Sequence, residues 1–321
     1  MRVSILLAAF ALIAGAQERY TEGELKLVFD TPAGAAREGP SWDPAGFLYF
    51  VGNNKLYRMD VQDKVEPYLD PSPGANGSLV DPQKRIIVCE SGSRRVIRIE
   101  KDKSVTVLAD SYEGKKFNSP NDVALDSKGW IYFTDPRYGR RDTIETVDAE
   151  GKQVEGVYRI DAPGKVTRIT THEVDRPNGI LISPGDRYMF IADNNNNTEN
   201  GARKLWRFDL NKDGTIDAKS RKLIFDWHTA RGPDGFKMDR QGRFYVAAGT
   251  SRGTRFETTN EYKGGVFVIS PEGKLLEYIA VPKDEATNVA FGGPDLKTLY
   301  VTGGGSLYSI RTKTAGLISA K

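Results

Sequence analysis

Sulfur and imidazole are nearly missing from this chain: its 321 residues include one cysteine and two histidines. A lone cysteine excludes an internal disulfide, so stability has to come from packing. Cys89 lies in the apolar run IIVCE and reads as a small core residue. With His172 and His228 the only imidazoles, the usual ligands of a zinc centre are lacking. A Ser-His-Asp hydrolase has no support either, since no G-x-S-x-G elbow occurs. Beyond the first residues there is no apolar run long enough to span a membrane. Charge of one sign is not in excess: 46 Lys and Arg stand against 43 Asp and Glu, interspersed, for a net charge of +3. Without a basic tract or an RNA-binding signature, nucleic acid is not an expected partner.

The one apolar stretch, Ile5 to Ala14, follows Met1-Arg2 and ends in Ala14-Gly15-Ala16. A positive start, a short apolar centre and a small-residue cleavage site read as a secretory signal peptide. The expectation is a leader over residues 1–16 and a single domain over 17–321, secreted or, given an outer membrane, periplasmic.

What the chain has in quantity is a repeat. Six segments align without gaps, beginning at Glu38 (EGPSWD), Asn76 (NGSLVD), Asn121 (NDVALD), Asn178 (NGILIS), Asp234 (DGFKMD) and Asn288 (NVAFGG). Five residues after each start stands a turn former: Asp43, Asp81, Asp126, Ser183, Asp239 or Gly293. Second strands follow (FLYFVG, RIIVCE, WIYFTD, YMFIAD, RFYVAA, TLYVTG), then third strands such as KLYRMD and GVFVIS, then fourth strands such as VTVLAD. Four strands per repeat, six times over, predict an all-β fold, a six-bladed β-propeller with four-stranded blades. The last repeat lacks a fourth strand, and an orphan strand, Glu24 to Phe29, precedes the first, so the N-terminal strand is expected to close the ring. The longest interruptions, Gly139 to Glu155 and Asn194 to Arg203, follow second strands and predict loops on one face. The tract Asp193 to Asn197 reads as a solvated turn, with a second calcium site as the minority reading.

In a propeller the first strand of each blade lines the central channel, so residues in the same register form a ring. That ring is Glu38, Asn76, Asn121, Asn178, Asp234 and Asn288, all oxygen donors, two of them carboxylates. Two carboxylates converging on one channel repel unless a cation compensates. A hard divalent cation suits such a set, since calcium takes six to eight oxygens from carboxylates, amide carbonyls and water.

The segments EGPSW, NSPNDVALDSKGWIYFTDPRYG, RPNGILIS and GPDGFKMD resemble the SMP-30/gluconolactonase family of calcium-dependent six-bladed propellers, above all its bacterial gluconolactonases. The resemblance covers about residues 25 to 316. It implies that Glu38, Asn121, Asn178 and Asp234 bind the metal and that Asp234 also serves in catalysis. Ser119 stands where the family's animal branch carries an arginine, so that branch's substrate contacts do not transfer. Asn76 and Asn288 complete the ring as substrate contacts or as structural hydrogen-bonders. Ser119, Arg137 and His228 are further candidate substrate contacts, with Tyr138 and Arg141 in the same polar loop as Arg137. The expected reaction is metal-dependent hydrolysis of a sugar lactone to the aldonic acid, with Ca2+ as cofactor or Mg2+, Mn2+ or Zn2+ in its place. Two alternatives stay open: an organophosphate or other ester hydrolase on the same metal site, and a non-catalytic sugar-binding or interaction propeller.

Overall fold

The computed structural model describes residues 18–138, 142–250, 253, 255–259 and 261–318. The expected leader and Arg141 lie outside them. Six four-stranded antiparallel sheets follow one another along the chain, as the repeat predicts. Their inner strands are Glu38–Asp43, Ala75–Val80, Val123–Leu125, Pro177–Ile182, Pro233–Met238 and Ala286–Gly292. Consecutive inner strands touch one another, the sixth also touching the first, so they surround a central channel. The N-terminal strand Thr21–Phe29 pairs antiparallel with Ser306–Thr312 as the outer strand of the last blade, so both ends of the described chain share one sheet. No described helix is long and apolar enough to cross a membrane.

The second strand of each blade is almost continuously apolar because both of its faces are covered. In blade one, Leu48 and Phe50 pack with Ala290 and Leu307 of blade six, whereas Tyr49 and Val51 pack with Val80 and Val88 of blade two. That alternation is the two-residue period of a strand. The same division recurs around the molecule, with one hydrophobic cluster between each pair of neighbouring blades. Cys89 is fully buried in the cluster between blades two and three and is a free thiol, as expected of a core residue.

The turn formers hold the hairpins by accepting backbone N–H groups across the turn. Asp81 takes the N–H of Arg85 at 2.9 Å, Asp126 those of Lys128 and Trp130 at 3.0 and 2.9 Å, and Ser183 Oγ that of Tyr188 at 2.9 Å. Asp239, fully buried, accepts from the N–H groups of Gln241 and Arg243 at 2.9 and 3.0 Å and from Arg243 Nε at 2.7 Å. The tract Asp193 to Asn197 departs from expectation. Asp193, Asn194 and Asn195 are buried, and the Asp193 carboxylate accepts from the Asp175 and Arg176 N–H groups and from Trp206 Nε1. Backbone donors and an indole draw this segment inward, where a tract of polar residues by itself suggests solvent. A third long connection, between Ala248 and Gly265, interrupts blade five at the corresponding place.

Replacing Asp239 leaves the Gln241 and Arg243 N–H groups and the Arg243 guanidinium without their buried acceptor. Asp239→Ala is expected to lower unfolding free energy by about 3 kcal/mol, and Asp239→Asn by markedly less, in urea titrations. Equal losses would mean that the turn does not depend on the side-chain acceptor.

Candidate active site

Five of the six ring residues enter the channel at a defect in their strand. In five blades the pairing of the inner strand slips beside the ring residue: between Glu38 and Ser41, Ala75 and Ser78, Pro177 and Ile180, Pro233 and Phe236, and Ala286 and Asn288. Such bulges bend a strand and re-aim a side chain. Close packing of the inner strands makes the next residue glycine in four blades. A Cβ on Gly39 would stand 2.1 Å from Asn76 O, and one on Gly235 about 2.0 Å from the Asn288 side chain. The sequence pattern E-G, N-G, N-G and D-G therefore encodes how closely one blade's ring residue approaches the next.

All six predicted ring residues are at this mouth of the channel, and five are accounted for by named contacts. Glu38 Oε2 accepts from Asn288 Nδ2 at 3.2 Å and from the Gly39 N–H at 3.1 Å. Asn288 Oδ1 is taken by the Val289 N–H at 2.9 Å, so this amide is held between Glu38 and its own strand with one N–H still to spare. Asn178 Nδ2 donates to the Tyr138 hydroxyl at 2.8 Å, and the Asn178 side chain tempers the rise of the Asp234 carboxyl. The Oδ1 atoms of Asn178 and Asn76 are buried without a hydrogen-bond partner. Buried carbonyl oxygens are rarely left so, and each marks a place where something outside the protein is expected to donate or coordinate. Asn121 is buried, with its backbone tied to Gly77 and Thr134.

The electrostatics are those of excess negative charge. Burial pushes the Glu38 carboxyl up to about 8, and Asp122 and Glu285 push it the same way. Burial also holds Asp234 well above the ordinary carboxylate range, reinforced by Glu38, Glu285 and Asp122. Neither Glu38 nor Asp234 forms an ion pair with Lys or Arg among the described residues. The donor set fits a hard divalent cation: two carboxylates with no cationic partner and amide oxygens with none of their own. Among the described residues no three His, Cys, Asp or Glu side chains cluster as a metal site, so the ring would reach its ligand number only by counting amides.

The remaining candidates divide. The Ser119 hydroxyl donates to Pro136 O at 2.6 Å and its N–H to Asp135 Oδ1 at 2.8 Å, so it is engaged within its own loop. Beneath it Asp135, fully buried and raised by that burial to about 8, also takes the Asn118 N–H. Arg137 is half-buried, its N–H on Glu155 Oε2 at 2.6 Å and Nη1 3.4 Å from Asn118 O. His228 is exposed and pairs with Asp226 of its own turn, and no contact with a ring residue is seen among the described residues. His172, on the surface, meets Asp148 at 2.7 Å. Sequence reasoning missed Asp122 and Glu285 as members of the acidic mouth, although Asp122 does stand where four other blades carry glycine. It also gave Tyr138 no particular role. A separate cavity of about 520 Å³ opens at the opposite, turn-side mouth, lined by Trp42, Leu181, Leu296, Leu317 and other apolar groups. Its walls suit an apolar body, whereas the oxygen ring suits a polyhydroxylated one.

A profile of the "SMP-30/Gluconolactonase/LRE-like region" matches residues 36–305. A gluconolactonase of Zymomonas mobilis is 30% identical over 302 residues, spanning 87% of this chain and 79% of that protein. A pentonolactonase of Haloferax volcanii is 28% identical over 276 residues, spanning 84% and 81%. The solved structure of a gluconolactonase from Xanthomonas campestris superposes with a TM-score of 0.71 at 26% identity, covering 90% of this chain and 89% of that one.

The raised carboxyls fix the sign of a pH effect. A carboxyl at about 8 when folded and 4.5 when unfolded keeps its proton in the folded state over that interval, so its stabilising contribution is complete below 4.5 and lost through about pH 8. With a chelator present, the melting temperature is expected to fall from pH 5 to pH 8, and Glu38→Gln to shrink that fall. An unchanged fall in the variant would contradict the assignment.

Proposed function

This chain belongs to the SMP-30/gluconolactonase/LRE-like family and is a lactonase, and from that premise we propose that it hydrolyses a sugar lactone, with gluconolactone the first candidate, at the oxygen ring and with a divalent cation bound there. The observation that carries this reading is the convergence of Glu38 and Asp234 in one desolvated channel without a cationic partner among the described residues, beside an Asn178 oxygen that has no partner. Glu38, Asn121, Asn178 and Asp234 would hold the cation, calcium first and magnesium or manganese as substitutes. When bound, such an ion supplies Lewis-acid polarisation of a carbonyl oxygen.

The chain's own residues supply the rest. Asp234 accepts a proton from the attacking water as the water oxygen bonds to the lactone carbonyl carbon. The ring C–O bond then breaks, a proton passes to the departing alkoxide, and the product is the open hydroxy acid. Asn288, tied to Glu38, and Asn76, with its free carbonyl oxygen, face the hydroxyl groups of the sugar. A polar mouth of this kind rewards a substrate rich in hydroxyls and leaves an apolar ester with unpaired partners.

The proposal extends to location. Met1-Arg2, the apolar stretch and Ala14-Gly15-Ala16 support removal of residues 1–16 on export, with one domain over 17–321. Mass spectrometry of the exported protein should give Gln17 as its first residue. Detection of the intact N-terminus would contradict export by cleavage.

Acid release from δ-gluconolactone, corrected for spontaneous opening, tests the chemistry. Turnover is expected with calcium, to vanish on chelation, and to fall on the order of 10²–10³-fold in Glu38→Gln and Asp234→Asn. Full activity in the chelated protein would remove the cation from the mechanism, and full activity in Asp234→Asn would remove the base.

A further inference from the structure

Asn178 has to present an oxygen, not an NH2 group, to the channel if it is to face a cation, and an amide can sit either way round. The structure contains a device that decides between the two. Tyr138 OH lies 3.4 Å from the backbone oxygen of Asn194, which can only accept a hydrogen bond. With its hydrogen directed there, the phenol offers a lone pair to Asn178, and Asn178 Nδ2 donates to it at 2.8 Å. The NH2 group is thereby anchored on the protein side, and Oδ1, buried without a partner, is left for the ring.

Tyr138 is in turn held from behind. The Arg176 guanidinium lies 5.4 Å from the centre of its ring and is almost fully buried. Glu155 pins that guanidinium, Oε2 to Nε at 3.0 Å and Oε1 to Nη2 at 3.4 Å, while also accepting the Arg137 N–H. A buried ion pair of this kind is costly to form and serves mainly to fix geometry. Here the geometry it fixes is that of Tyr138.

We propose that Tyr138 is a positioning residue that sets the orientation of the Asn178 amide, and that Glu155 and Arg176 hold Tyr138 in place for that purpose. The inference rests on the reading of the ring as a divalent-cation site. Outer partners that orient a metal ligand typically change affinity by about 10–100-fold when removed.

The test is calorimetric titration of chelator-treated, full-length protein with calcium chloride, for the wild type, Tyr138→Phe, Asn178→Ala and the double variant. Tyr138→Phe is expected to weaken calcium binding about tenfold while leaving the melting temperature in chelator close to that of the wild type. In the Asn178→Ala background the same substitution is expected to have no further effect, because the amide it orients is gone. Wild-type-like calcium affinity in Tyr138→Phe, or an equal loss in both backgrounds, overturns the inference and leaves the cation site standing. A wild type that binds no calcium overturns the site reading and the inference together.

Discussion

Two carboxylates held in one desolvated channel, with no cationic side chain paired to either among the described residues, is the constraint on which the rest of this molecule turns. Glu38 and Asp234 come from blades one and five, and Asp122 and Glu285 add to the same field. Bringing such groups together costs free energy that packing elsewhere has to supply. The six inter-blade clusters supply it, and the bulges and glycines at the channel mouth direct it to one place. A bound cation removes the repulsion, so the site is one in which ligand binding and local stability are coupled.

The division of labour along each blade follows from this. At the turn-side end, aspartates such as Asp81, Asp126 and Asp239 spend their oxygens on backbone N–H groups and lock the hairpins. At the other end the same residue types are aimed into the channel, and the Asn76 and Asn178 oxygens stay unspent. Function thus depends less on residue type than on what each carboxylate or amide is already bonded to. Asp193 and Asp135 make the point from the structural side, since both are buried acids engaged by backbone donors.

Most of the fold and the ring itself were legible in the sequence because both repeat. Period-two alternation, turn formers at a constant offset and an oxygen donor at each repeat start are local signals that reinforce one another over six copies. What occurs only once was less legible. Tyr138 and Glu155 lie at the two ends of a non-repeating loop, and their meeting with Asn178 and Arg176 is tertiary. Asp122 was visible only as an exception to the glycine that follows other ring residues. Glu285 lies outside the repeat register. The Asp193 to Asn195 segment misled because composition reports polarity and cannot report that an indole and two N–H groups await it. His228 is near Asp234 in sequence, but its exposed side chain meets Asp226 of its own turn, a contact that the sequence pattern does not announce.

Whether the ring holds a cation is answered by anomalous diffraction from crystals grown with manganese(II). One strong peak is expected on the channel axis, at about 2.0–2.6 Å from oxygens of Glu38, Asn178 and Asp234, with Asn178 contributing Oδ1. A channel without a peak at saturating manganese, or a peak held by other residues, would contradict a cation in the ring.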